Sequence, residues 1–163
     1  MKTVNSLEIL TKKLLNAYQN NLFDEAKILA ISMTKEFPKH NLSWKILAAI
    51  YAQYKDSQKS IDCCLKAINT DPNDAEAHSN MGLILFQFKK FKDATKSFQK
   101  AIEIKSDYEE AHFNLGNTLK TLGKLNEAKE SYLRAINFNP KFLAAHFNLA
   151  STLIALNKLT QAE

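Results

Sequence analysis

The sequence predicts an all-α fold, a right-handed superhelical solenoid of stacked helix–turn–helix units. Three observations carry this reading. Rare residues recur every 34 positions: Pro38 and Pro72, with Pro140 two periods further on; Gly82 and Gly116; His78, His112 and His146; Asn80, Asn114 and Asn148. Self-similarity at a fixed period of this length is the mark of a repeat architecture. Each period also holds two apolar stripes at helical spacing. Three glycines and three prolines in 163 residues are too few for the many turns of a β-sandwich or barrel.

The register gives repeats at 7–40, 41–74, 75–108 and 109–142 and an incomplete fifth at 143–163, all in one domain, 1–163. In 109–142, His112, Leu115, Gly116 and Leu119 mark the packed face of helix A. A turn at Gly123 follows, and Ala128, Tyr132, Ala135 and Ile136 mark helix B. Asp71-Pro72 and Asn139-Pro140 end helix B, because proline pushes the preceding residue out of the helical region. Small residues at positions 8, 20 and 27 let the two helices approach, and large ones at 4, 7, 11 and 24 fill the space between them. In 7–40, Leu14 takes the small slot, so the first hairpin is expected to pack loosely or to act as a cap. The last unit supplies helix A with Leu149, Leu153 and Leu156, then stops at Ala162 and Glu163, a few residues into helix B. Its apolar edge therefore implies either a longer parent protein or self-association through that edge.

One unit carries Trp44, Leu47, Ala48, Tyr51, Ala67 and Pro72. The next has His78, Met81, Gly82, Leu85, Ala94, Phe98 and Ala101, and the third has His112, Leu115, Gly116, Leu119, Ala128, Tyr132, Ala135 and Pro140. This pattern resembles the tetratricopeptide repeat. The resemblance implies that the A helices line a concave groove. Positions 2, 5, 6, 9, 12 and 13 of helix A lie opposite the packed face and are the candidates to meet a ligand.

Position 6 holds Asn80, Asn114 and Asn148, side chains that offer both donors and an acceptor and so suit the alternating groups of an extended peptide backbone. The segments at 77–82, 111–116 and 145–150 resemble the repeats of O-GlcNAc transferase, in which an asparagine ladder holds the substrate main chain. Position 5 adds Phe113 and Phe147, read equally as groove contacts or as packing against neighbouring helices. Position 9 adds Asn117, position 2 adds Glu76 and Glu110, and position 12 adds Phe86 and Lys120. The carboxylate-clamp form of the family carries Lys at position 5, Asn at 6 and 9 and Lys or Arg at 2 and 6 across three consecutive repeats. Here Glu76 and Glu110 stand at position 2, no arginine stands at position 6, and Lys45 matches singly at position 5, so that form is not expected.

The expected function is a non-catalytic scaffold for a protein or peptide ligand; the alternative is the substrate-recruiting part of a larger enzyme such as a glycosyltransferase. No nucleophile elbow, phosphate loop or paired-carboxylate signature is present, and no cofactor is expected. A metal site built from the three histidines is not expected, because helices about 10 Å apart cannot bring three rings to the roughly 2 Å of a zinc bond. Cys64 falls at a core position, and Cys63 is expected to be exposed. Lys89, Lys90, Lys92, Lys96 and Lys100 read as a solvated face, and with a net charge of only +5 nucleic acid is not the expected partner. The longest apolar runs, 46–52 and 81–86, are far below the roughly 20 residues of a membrane helix. No secretion signal opens the chain, so the expected compartment is the cytoplasm.

Overall fold

The computed structural model describes residues 2–160. Among them are nine helices and no strand: α1 Lys2–Gln19, α2 Phe23–Glu36, α3 Asn41–Gln53, α4 Ser57–Thr70, α5 Ala75–Gln87, α6 Phe91–Ile104, α7 Glu109–Thr121, α8 Leu125–Phe138 and α9 Leu143–Thr160. The 34-residue period read in the sequence returns in the coordinates. Helices α2, α4, α6 and α8 start and end at intervals of 34, as do α3, α5 and α7. The chain divides into two compact units, 1–73 and 74–163.

In the second unit each helix packs on the next in sequence. Helix α7 also touches α5 and α9, whereas α6 and α8 do not meet among the described residues. The A helices therefore form the inner layer of this unit and the B helices the outer one. The first unit repeats the scheme, with α1 touching α3 and no contact between α2 and α4 among the described residues.

Both kinds of turn are periodic. Each A helix but the last ends in a left-handed residue, at Asn21, Lys55, Lys89 and Gly123. Two backbone bonds close each of these turns: Lys89 N–H donates to Phe86 O at 2.9 Å and Lys90 N–H to Leu85 O at 2.8 Å, and the same pair recurs at every step of 34. This is the glycine-type helix stop, yet only one of the four residues is glycine. A left-handed conformation costs an L-residue about 1–2 kcal/mol. Lys89→Gly is therefore expected to stabilise the fold by about 1 kcal/mol after the entropy cost of glycine. Chemical denaturation measures it; a variant less stable than the parent would contradict the strain.

At the B-to-A corners, Phe142 N–H donates to Asn139 O at 3.0 Å and His40 N–H to Phe37 O at 2.9 Å. Pro140 and Pro38 follow the carbonyl residue, where proline pre-sets the turn. The ring N–H at position 4 fastens the same corner. Trp44 Nε1 donates to Pro38 O at 2.9 Å, His112 Nε2 bonds Ser106 O at 3.0 Å, and His146 Nε2 bonds Pro140 O at 2.9 Å. Since a carbonyl only accepts, these histidines carry their proton on Nε2, as the indole does. They are corner ties.

The A/B contact is set by a reciprocal choice of size at positions 8 and 24. Gly82 lies under the Phe98 ring and Gly116 under the Tyr132 ring, so close that a Cβ would sit 2.7 and 2.6 Å from ring carbons. The equivalent pairs are Ala48 with Cys64 and Leu14 with Ala30, all buried. Leu14 is thus matched by a small partner, and the first hairpin keeps a closed core through Leu14, Ala17, Ala26, Ala30 and Met33.

Two expectations are corrected. Cys63 is not exposed; it is buried beside Cys64. At the same position Ser131 is also buried, and both short side chains stay below their neighbours. Burial pushes the Cys63 thiol up to about 11 and the Cys64 thiol to about 12, so neither forms the reactive thiolate near neutral pH. The fifth unit does not turn at Asn157, the equivalent of Gly123. Helix α9 runs on to Thr160, through Leu156, Lys158 and Leu159, all good helix formers. Ala162 and Glu163 lie outside the described residues.

Candidate functional site

The inner layer of the second unit presents parallel stripes, because residues i, i+4 and i+7 share one side of a helix. On α5 the stripe is Glu76, Asn80 and Leu83; on α7 it is Glu110, Asn114 and Asn117. Glu76 and Glu110 are exposed, and Asn80 and Asn114 are half-buried. The carboxamides of Asn80 and Asn114 make no hydrogen bond to another described residue, which leaves their donors and acceptors available.

Asn148 on α9 differs from its two counterparts. Its Nδ2 donates to Asn117 Oδ1 at 2.7 Å, and the same oxygen accepts from the Tyr132 hydroxyl at 2.8 Å. One carbonyl oxygen has two lone pairs and both are used. Asn117, read as a groove residue, is thus first an internal acceptor for the core tyrosine. In the repeat before, position 24 is Phe98, which has no hydroxyl, and position 9 is Leu83. The polar partner appears where the aromatic ring needs one. The bond also fixes Asn148 and Asn117 so that Asn148 Oδ1 and Asn117 Nδ2 keep their capacity for a ligand. Beside them Lys120 Nζ donates to Ser151 Oγ at 2.9 Å, tying α7 to α9 by a second polar link.

Position 5 does something the sequence reading left between two possibilities. Phe113 packs on Phe142 at 4.8 Å and on Tyr132 at 6.0 Å between ring centres. It joins helix A to the corner that begins the following unit. The same spacing of 29 residues links Thr11 Oγ1 to His40 Nε2 at 3.3 Å, and Ser79 to the Tyr108 hydroxyl. Position 5 is therefore a corner contact whose chemistry changes from repeat to repeat. Phe147 stands at this position on α9 and is 74% exposed. Phe86 likewise serves its own hairpin, edge-on to Phe91 at 5.3 Å.

Lys105 Nζ lies 5.0 Å from the centre of the Tyr108 ring, and the charges of Glu110, Glu76 and Asp74 reach its hydroxyl. Burial raises the pKa of its phenol, and these three carboxylates add to the shift against the Ser79 bond. Among the described residues no group of three His, Cys, Asp or Glu side chains is placed to hold a metal ion, and no helix is long and apolar enough to cross a membrane.

The tetratricopeptide repeat model matches residues 109–142, a second tetratricopeptide model matches 63–96, and a TPR repeat model matches 82–123. The chain carries tetratricopeptide repeats. Solved structures of similar fold include PilF of Pseudomonas aeruginosa, 18% identical over 97% of this chain and 72% of that one, with a TM-score of 0.88. MamA is 22% identical over 87% of this chain and 83% of that one, with a TM-score of 0.78. The first TPR of Spaghetti (RPAP3), bound to the HSP90 peptide SRMEEVD, is 27% identical over 72% of this chain and 93% of that one, with a TM-score of 0.69. A search of curated proteins gives no significant match.

Proposed function

We propose that this chain is a non-catalytic interaction module that holds an extended polypeptide along the inner face of its second unit. The observation that carries the reading is the pair of half-buried, uncommitted carboxamides of Asn80 and Asn114, on adjacent inner helices of a tetratricopeptide array. An amide that both donates and accepts can take one backbone group of each kind. Asn148 and Asn117, already oriented by their mutual bond, supply the next rung. The peptide bound to the RPAP3 domain supports peptide binding as a use of such a fold.

The test is Asn80→Ala with Asn114→Ala. A partner recovered by pull-down is expected to lose about tenfold or more in affinity, roughly two hydrogen bonds of about 1 kcal/mol each, with the unfolding curve unchanged. Equal affinity in the folded variant would end the reading. A second reading keeps the groove and makes it the substrate-recruiting part of a longer enzyme. The resemblance of the asparagine segments at 77–82, 111–116 and 145–150 to the repeats of O-GlcNAc transferase favours it, and a catalytic domain in the same open reading frame is its test.

A further inference from the structure

The positive charge of this chain is concentrated in one hairpin. Residues 89–105 hold six lysines against Asp93 and Glu103, a net +4 of the whole chain's +5. They form the α5–α6 turn, helix α6 and its C-cap, in the outer layer of the second unit. Lys100 is paired with Glu103 at 2.9 Å, and Lys105 lies over the Tyr108 ring. Lys89, Lys90, Lys92 and Lys96 are all exposed, and none makes an ion pair or side-chain hydrogen bond with another described residue.

The equivalent turns each pair a lysine with a carboxylate of the same turn. At the α3–α4 turn Lys59 donates to Asp56 at 2.8 Å, and at the α7–α8 turn Lys124 donates to Glu127 at 2.9 Å. Lys90 and Asp93 stand one period before Lys124 and Glu127, yet no ion pair joins them. The local structure gives no reason for lysine here either. Lys89 holds a left-handed backbone, which favours glycine. Lys90 and Lys92 stand at the start of α6, where the helix dipole disfavours a cation.

The chemistry of the patch selects its partner. Between Leu83 and Leu133 no large apolar side chain is exposed among the described residues, so the lysines have no anchor beside them. A protein interface draws its energy from buried aromatic and apolar anchors and is depleted of lysine. Single-stranded nucleic acid is held in a groove whose aromatic rings stack on its bases, whereas this patch lies on the outer layer. A plane of mobile acidic headgroups needs neither anchor nor groove, and each lysine near it gains about fivefold in partitioning.

We infer that the α5–α6 turn and the first half of α6 are a docking surface for an anionic lipid bilayer, with Lys89, Lys90, Lys92 and Lys96 set against its acidic headgroups. Contact through the outer layer leaves the inner face of the unit open, so this inference and the groove reading stand or fall separately.

The experiment is sedimentation of the full chain with vesicles of phosphatidylcholine, alone or with about one third phosphatidylserine. Partitioning onto the mixed vesicles is expected to exceed that onto the neutral ones by about tenfold or more at low salt, and to fall as salt is raised. Lys90→Gln with Lys92→Gln should weaken it by about tenfold or more. Lys35→Gln with Lys66→Gln removes the same charge from exposed sites elsewhere and should weaken it by less than about threefold. None of these four lysines makes a side-chain bond to a described residue, so both variants are expected to fold as the parent does, which circular dichroism checks. Equal partitioning onto both kinds of vesicle would overturn the inference. Equal losses in the two variants would assign the attraction to net charge and overturn the placement on this hairpin. Binding to a short DNA duplex with none to the mixed vesicles would make the partner a nucleic acid and overturn the lipid surface.

Discussion

Gly116→Leu is expected to destabilise the chain by at least about 3 kcal/mol, the upper end of what overpacking costs, and to lower the melting temperature by roughly 6–12 °C. A Cβ at residue 116 would already lie 2.6 Å from Tyr132 Cε1, and leucine adds three more carbons in the same direction. The ring cannot withdraw, since Tyr132 is fully buried between Ala128 and Ala135. Tyr132→Ala alone is expected to cost about 3–5 kcal/mol as a cavity forms. The two changes together should cost well under their sum, because they recreate the arrangement of Leu14 and Ala30, both completely buried in the first hairpin. Thermal unfolding followed by circular dichroism measures the cycle. Additive losses would mean that the two positions do not exchange volume.

That exchange was only partly legible in the sequence. Glycine or alanine at position 8 was readable as a close approach, and the helix limits followed from the 34-residue period and the Asp-Pro and Asn-Pro corners. Leu14 is an exception at position 8 taken alone; paired with Ala30 at position 24, large against small, it is regular. The site shows the same limit. Asn117 looked like one more groove amide, since helical phase places it on the inner face. Its use by Tyr132 could have been found by noting that position 9 is Asn where position 24 is Tyr and Leu where it is Phe. The corner contact of Phe113 was not recoverable from phase at all. Position 5 lies at the border of the helix face, and its partner stands 29 residues away in a turn whose direction only the coordinates give. Cys63 escaped for a related reason: face assignment by angle treats a border position as solvent, whereas this short side chain is covered by its neighbours.

The hydroxyl that ties Tyr132 to Asn117 makes the fold sensitive to alkali. Burial pushes the Tyr132 phenol up to about 12 from an ordinary 10, with the Asn148 amide beside it pulling the other way. A raised acid pKa means that the native chain keeps its proton where the unfolded chain releases it. The stabilisation is therefore complete below pH 10 and is lost as pH climbs from 10 to 12. The thiols of Cys63 and Cys64, raised from 9 to about 11 and about 12 by burial, start the decline about one unit earlier. Tyr18 and Tyr108, also raised by burial, add to it. Unfolding free energy measured from pH 8 to 12 is expected to be flat to about 9 and then to fall with increasing slope. Tyr132→Phe should lose about 1 kcal/mol at pH 8, the net worth of one hydrogen bond, and should fall less steeply than the parent above pH 10. Parallel profiles for parent and variant would show that the phenol is not held neutral by the core. That outcome would also remove the reason for Asn117 to stand at position 9, and would return it to the groove as a residue free to meet a ligand.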